Sequence, residues 1–346
     1  MHLLVVSQYF WPENFRINDL VAALTERGHQ VTVLTGYPNY PDGVIYADFQ
    51  ERPKDFELFN GSKIVRVPLF PRGRGRFSLV SNYISFMITA SVIGVWKLRG
   101  RRFDAILVYE PSPITVGVPA IVLRSAKKAP LAFWVLDLWP ETLEALGVIK
   151  SKLILALIGK LVACIYKRCD LILAQSRSFI DHIANYCANQ QRIVYFPNWA
   201  ESLFTSNSVS AAQEVPPAQG KFTVMFAGNI GESQDFPAIL RAVEKIKEYN
   251  HLVRWIILGD GRMATWVKKE VIERGLQDVV LMLGRHPVER MPDFFMHADV
   301  LLISLQDKPI FSMTIPGKLQ SYLAAGIPVV AMLNGEGADM PNPYTE

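Results

Sequence analysis

Short apolar runs recur along the chain, each followed by a polar loop and most by an amphipathic stretch. In the first half they are His2 to Ser7, Gln30 to Leu34, Asp104 to Tyr109, Leu131 to Leu136, Leu171 to Ala174 and Ile193 to Phe196. These runs are continuous rather than alternating, which predicts strands buried on both faces of a parallel sheet. A helix from about Ile17 to Arg27, ended by Gly28 and His29, joins the first two as a βαβ unit. The rhythm breaks over Pro197 to Lys221, where Ser206 to Gly220 is rich in Ser, Ala and Pro, so a linker is expected over 201–220. It resumes with strands Phe222 to Ala227, Val253 to Leu258, Val279 to Leu283 and Asp299 to Ile303, and with helices over Pro237 to Tyr249 and up to Arg274. The pattern predicts an α/β chain of two Rossmann-like domains, 1–200 and 221–346.

The last stretch, Asp307 to Leu333, reads as loop, helix, glycine stop and buried strand. Pro316 stands where a helix begins, Lys318 falls in its first turn, and Gly326 with Pro328 ends it. Unpaired amides at a helix start attract anions, and a lysine beside them suits a diphosphate. An ordinary αβ unit with a surface lysine fits the same residues.

Other candidate chemistry lies in the loops after the strands, where open α/β sheets bind ligands. No G-x-G-x-x-G follows the first strand. Its loop instead offers Trp11, Glu13, Asn14 and Arg16, and the next loop offers Tyr37 and Asn39 among several rings. Aromatic faces there suit sugar rings, and packed turns explain the same composition. Asp137 and Glu141 follow another strand, which suits a carboxylate that takes a proton from an attacking hydroxyl. Alternatively, Glu141 and Glu144 simply open a helix after Pro140. In the second half, Gly228-Asn229-Ile-Gly231, Gly259-Asp260-Gly261 and Gly284-Arg285 repeat a glycine-bearing turn, with amides expected to face phosphates.

With 346 residues, half of them apolar, the chain can fill two cores. Its three cysteines include no C-x-x-C, which suggests a reducing compartment and gives no metal signature. The first residues read as a strand and lack the basic start of a signal peptide. The net charge of +4 matters less than its placement. Leu58 to Phe103 contains no acid but nine Lys and Arg, among them Lys63, Arg66, Arg72, Arg74 and Arg76, flanking the uncharged Phe77 to Trp96. Ala145 to Cys169 repeats this, with Lys150, Lys152, Lys160, Lys167 and Arg168 around aliphatic runs. The expectation is two helices, near 77–98 and 152–168, on a membrane surface with cations on anionic headgroups. A buried helix with a solvated basic surround is the competing reading. The interleaved residues are aliphatic rather than exposed rings, which argues against nucleic acid.

Taken together, the segments Gln8–Leu20, Gly36–Gly43, Asp137–Glu141, Pro197–Trp199, Phe226–Gly231, Leu258–Gly261 and Thr314–Gly326 resemble those of retaining GT-B glycosyltransferases of family 4. Within that family they resemble the WbuB-type transferases of O-antigen and capsule synthesis. The resemblance implies a GT-B pair of Rossmann-like domains, with acceptor residues Trp11, Glu13, Asn14, Arg16, Tyr37 and Asn39 in the first. Donor residues Gly228, Asn229, Gly231, Gly259, Asp260, Gly261, Arg285, Thr314, Pro316, Gly317 and Lys318 lie in the second. It implies a UDP-sugar donor, a lipid-linked saccharide acceptor, the cytoplasmic face of a bacterial inner membrane, and no metal or cofactor. Asp137, Glu141 and Lys318 would be catalytic. The Glu-x7-Glu pair of many family 4 enzymes falls here on Met313 and Ser321, and their phosphate-binding Arg and Lys on Asn229 and Gln234. The diphosphate is therefore expected to rest on Lys318, Arg285 and backbone amides. GT-B donor domains run on through further helices, so the second domain is expected to be C-terminally incomplete at Glu346.

Overall fold

The computed structural model describes residues 1–73, 75–187, 189–205, 210–218 and 220–340. Arg74 of the basic cluster, the side chain of Arg76 and the 206–209 part of the expected linker lie outside that description. The chain forms two compact units, Met1–Pro197 and Asn198–Glu346.

In the first unit eight strands form one sheet: β1 (His2–Val6), β2 (Gln30–Gly36), β3 (Leu58–Phe59), β4 (Ser62–Val67), β5 (Ala105–Glu110), β6 (Leu131–Val135), β7 (Leu171–Ala174) and β8 (Ile193–Tyr195). Their order is β3-β4-β2-β1-β5-β6-β7-β8, parallel throughout except for the β3–β4 hairpin. The continuous apolar runs predicted this, because helices cover both faces and strand residues such as Leu4, Val5, Val6, Phe133 and Val135 are buried. Strand β4 escaped prediction because Lys63 and Arg66 interrupt its apolar residues.

The 77–96 stretch is helical: Arg76–Thr89, a π turn over Ala90–Gly94, and a last turn over Val95–Lys97. It is long and apolar enough to cross a membrane. One face is nonetheless part of the core: Asn82, Phe86, Ala90 and Gly94 are buried at intervals of four. Steps of four overshoot an α-helical turn of about 3.6 residues, and the wider π turn restores the alignment. It brings Gly94 so close to β2 that a Cβ there would meet a Leu34 methyl carbon at 2.9 Å. The opposite face, with Phe77, Val80, Ile84, Ile88, Val92 and Trp96, is exposed. The second basic helix, Lys152–Tyr166, also exposes Leu153, Ile154 and Leu157.

The second unit is a five-stranded parallel sheet of β9 (Phe222–Ala227), β10 (Val253–Leu258), β11 (Val280–Gly284), β12 (Val300–Ser304) and β13 (Val329–Met332), in the order β11-β10-β9-β12-β13. Alternate residues feed two cores. Val224, Phe226 and Ile257 enter one, and Met225, Ala227 and Leu258 the other. The segment expected as a linker joins this unit: Ala212 and Val215 are buried in the second of these cores with Phe294 and Phe295. Small apolar residues among Ser and Pro read as linker in sequence, yet here they cap a sheet face.

Candidate active site

In the second unit the site is built around Lys318. The helix Gly317–Ala324 follows Pro316, whose extended backbone makes it the cap rather than the first helical residue. Lys318 is half-buried. Its Nζ donates to Gln234 Oε1 at 2.8 Å and lies 3.8 Å from the centre of the Phe226 ring. Burial pulls its amino group down to about 7. The lysine arm lies over Gly228, where an added Cβ would stand 2.4 Å from Lys318 Cε. Gln234, where the family lysine was counted, thus receives its ammonium from another helix.

The glycine turns work differently from the expectation. The Gly228, Ile230 and Gly259 amides donate to Leu258, Asp260 and Gly284 carbonyls, and the Gly261 amide to its neighbour's Asp260 Oδ1. These four amides are therefore committed to the protein, which corrects the assignment of the Gly228, Gly259 and Gly261 amides to phosphate. The glycines exist for close approach of neighbouring loops. Gly259 has φ +127°, and a Cβ there would stand 1.8 Å from the Gly228 carbonyl oxygen. Gly231 and Gly261 leave space for the Asn229 side chain, whose amide atoms would each lie 2.6 Å from a Cβ at those positions. Gly259→Ala is expected to destabilise the second unit by roughly 3 kcal/mol or more, since clash and backbone strain combine. Thermal unfolding measures it, and an unchanged midpoint would refute the packing argument.

Arg285 pairs with Asp260 at 3.8 Å, both half-exposed, and Thr314 Oγ1 donates to Ile310 O at 3.1 Å. Ser321, counted as the second Glu position, donates to Glu201 Oε2 at 2.8 Å. A carboxylate therefore does stand beside that position. No spacing rule finds it, because it comes from 120 residues away.

In the first unit the carboxyl ends of β5 and β6 gather acids. Asp137 accepts from Thr142 Oγ1 at 2.6 Å and Trp139 Nε1 at 3.2 Å, yet burial outweighs both and lifts its carboxyl to about 6. Glu110, missed in the sequence, ends β5 with its carboxyl fully buried. Burial first, and the charge of Asp137 second, hold it well above the usual range. Two acids whose environments separate their titrations suit one neutral and one ionised role. Glu141 differs. Burial raises it, but Tyr186 Oη donating at 2.6 Å and His182 Nε2 at 3.0 Å prevail and hold it below its ordinary value. Glu141 is thereby tied to the helix Arg177–Ala184 and the turn after it.

The loops assigned to the acceptor interlock. Glu13 is only 1% exposed, and its carboxyl accepts the amides of Phe10, Asn39 and Tyr40 at 3.2, 2.8 and 2.7 Å. Burial nevertheless lifts it to about 7. Asn39, also buried, accepts the Arg72 amide at 2.8 Å. Both residues shape the loops rather than present polar atoms outward. Trp11 and Tyr37 rest on Phe56 and Phe49, Arg16 is half-buried, and Asn14 is exposed.

Two family models match: a glycosyl transferase 4-like domain over residues 14–199, and a glycosyl transferases group 1 domain over residues 221–342. The chain is 22% identical over 355 residues to WcaI of Escherichia coli (strain K12), which bears the name of a colanic acid biosynthesis glycosyl transferase. That match covers 94% of this chain and 82% of the relative. Among solved structures, HepE of Anabaena in complex with UDP and glucose is similar with a TM-score of 0.67 at 13% identity, over 98% of this chain and 82% of that one. WaaG, a glycosyltransferase involved in lipopolysaccharide biosynthesis, is similar with a TM-score of 0.62 at 12% identity, over 98% of this chain and 82% of that one. At such identities the structural likeness concerns the GT-B fold alone.

Proposed function

Because the chain belongs to the glycosyl transferase 4-like family, we propose that it moves a sugar from a UDP-sugar to a lipid-linked saccharide in surface polysaccharide assembly, with retention of configuration. The observation that carries this reading is the half-buried Lys318 amino group beside the turn after β9, held near neutrality until an anion arrives. The UDP bound by HepE and the colanic acid name of WcaI support the donor and the pathway class. N-acetyl-L-fucosamine is our choice of donor sugar, from the WbuB-type resemblance.

In this mechanism Lys318 stabilises the charge developing on the departing diphosphate. Asp137 orients the acceptor hydroxyl and takes its proton, while Glu110 stays protonated and confines the negative charge to Asp137. Glu141, fixed by Tyr186 and His182, holds the Asp137 loop in place. Trp11, Asn14, Arg16 and Tyr37 line the acceptor side, where Glu13 and Asn39 set the loops. The reaction needs no metal, because Lys318 supplies the positive charge. The exposed stripes of the two basic helices lie on the cytoplasmic face of the inner membrane.

The test is mass spectrometry of polyprenyl-diphosphate N-acetylglucosamine after incubation with the protein and a panel of UDP-sugars. A mass gain of one sugar supports the reading, and no gain with any donor sinks it. Asp137→Asn is expected to lower transfer about a hundredfold or more. In the wild type, a base that titrates at about 6 is active when ionised, so the rate should hold above that pH and fall below it. A pH profile without this acid limb would remove Asp137 from the role.

A further inference from the structure

A cavity of about 310 Å3 opens beside β4, and it shares no residue with the carboxylate cluster. Lys63 and Arg66 of β4, Lys97 at the end of the apolar helix and Arg101 just beyond it line the cavity, against one acid, Glu57. Tyr37 and Phe49 form its aromatic side, with ring centres 5.1 Å apart.

Arg66 makes this more than a charged patch. It is 7% exposed, its Nη1 donates to Gly36 O at 2.9 Å, and its Nη2 donates to Trp11 O. Its guanidinium carbon stands 5.4 Å from the Phe49 ring centre, while its Nε has no partner among the described residues. Guanidinium groups are weakly hydrated and fit phosphate oxygens, so one fixed in the wall of a basic cavity beside Lys63, Lys97 and Arg101 favours an anion there. Lys97 Nζ donates to Arg66 O at 2.9 Å, which ties the helix end to the strand and leaves the ammonium two further donors.

Charge and position narrow the ligand. Four cations against Glu57, with Glu13 titrating at about 7 behind Arg66, leave an excess of two to three, more than the single charge of a phosphodiester headgroup. The helix end that supplies Lys97 also carries Trp96, 60% exposed, with the Arg99 guanidinium 4.2 Å over its ring. This is the amphipathic arrangement that settles at a bilayer's headgroup level. Tyr37, in turn, belongs to a loop assigned above to the acceptor. We infer that this cavity holds the diphosphate of a membrane-embedded polyprenyl chain, the carrier of the acceptor saccharide. The inference rests on the lipid-linked acceptor reading above.

The experiment uses the full chain with two kinds of phosphatidylcholine vesicle. One is doped with a polyprenyl diphosphate, the other with phosphatidylglycerol to the same surface charge. The wild type is expected to bind the diphosphate vesicles at least tenfold more tightly, roughly the effect of a few well-placed charge contacts. The variant Lys63→Gln with Arg101→Gln is expected to erase that margin, while its binding to phosphatidylglycerol weakens by no more than roughly the tenfold that two lost surface charges cost. Neither side chain makes a hydrogen bond among the described residues, and an unchanged thermal unfolding midpoint of the first unit reports that the variant folds. A wild type without preference overturns the inference, as does a variant that keeps the margin or loses both vesicles equally. If the wild type prefers diphosphate vesicles yet transfers no sugar, the transferase reading fails and the cavity stands. Sugar transfer without any vesicle preference does the reverse.

Discussion

Lys318→Ala is expected to lower sugar transfer about a hundredfold or more, the usual effect of removing a preorganised charge from a developing anion. Affinity for UDP should also fall and, in the wild type, should depend on pH in a specific way. Burial holds the free amino group at about 7, well below its ordinary 10.5. A diphosphate favours the charged form, so UDP binding should take up a proton above pH about 7. The dissociation constant then rises by up to about tenfold per pH unit in that range, and calorimetry in buffers of differing ionisation enthalpy reads the proton directly. Stability gives an independent check. A depressed folded value means that stability is fully present above the unfolded value of 10.5, declines as pH falls toward about 7, and is level below that. Lys318→Met fills the same space without the charge. It should be more stable than the wild type at neutral pH, with the gap closing as the pH rises. Loss of transfer without any pH dependence of UDP binding would show that Lys318 acts by packing on Phe226 and Gln234.

Much of this site was legible in order but not in mechanism. The helix stop at Gly326, the first-turn Lys318 and the strand after it follow from local rules, because caps and periodicity act over a few residues, although that strand, expected to be buried, lies at the sheet edge with Val330 exposed. The role of the glycines was not legible. A sequence shows that Gly228, Gly259 and Gly261 free the backbone, but not that two loops occupy the freed space and consume the amides. In sequence Glu110 falls just past the predicted strand end at Tyr109, and only burial beside Asp137 separates their titrations. Contacts such as Lys318 with Gln234, Glu141 with Tyr186 and Ser321 with Glu201 join distant segments, and no periodicity encodes them. Strand β4 was hidden by its own charges, so the buried Arg66 was counted as one more surface cation.

Ile84→Asp combined with Ile88→Asp and Val92→Asp is expected to weaken vesicle binding about a hundredfold or more while leaving thermal stability nearly unchanged. Each of these side chains is 43% to 66% exposed, so burial in lipid rather than in the protein is what they offer. Roughly 1 kcal/mol from each lost aliphatic contact, with added repulsion between carboxylates and anionic headgroups, gives that magnitude. Changes on the opposite face should do the reverse. Asn82 accepts from Gln8 Nε2 at 2.6 Å and Tyr9 Oη at 3.0 Å in the core, and donates to Phe70 O at 2.6 Å at its edge. Asn82→Leu strands these groups and should destabilise the first unit by about 2 kcal/mol or more. Under the proposed membrane association, the two faces together decide how this helix would meet a bilayer. To span one, it would have to pull Asn82, Phe86, Ala90 and Gly94 out of the core and take the Asn82 acceptor away from Gln8 and Tyr9. Lying in the plane of the interface asks for nothing but its exposed stripe, with Arg99 on Trp96 at one end. A vesicle-bound protein whose Asn82 face becomes reachable by a lipid-dissolved quencher would overturn the in-plane arrangement. Quenching confined to the Ile84 and Ile88 face is the expected result.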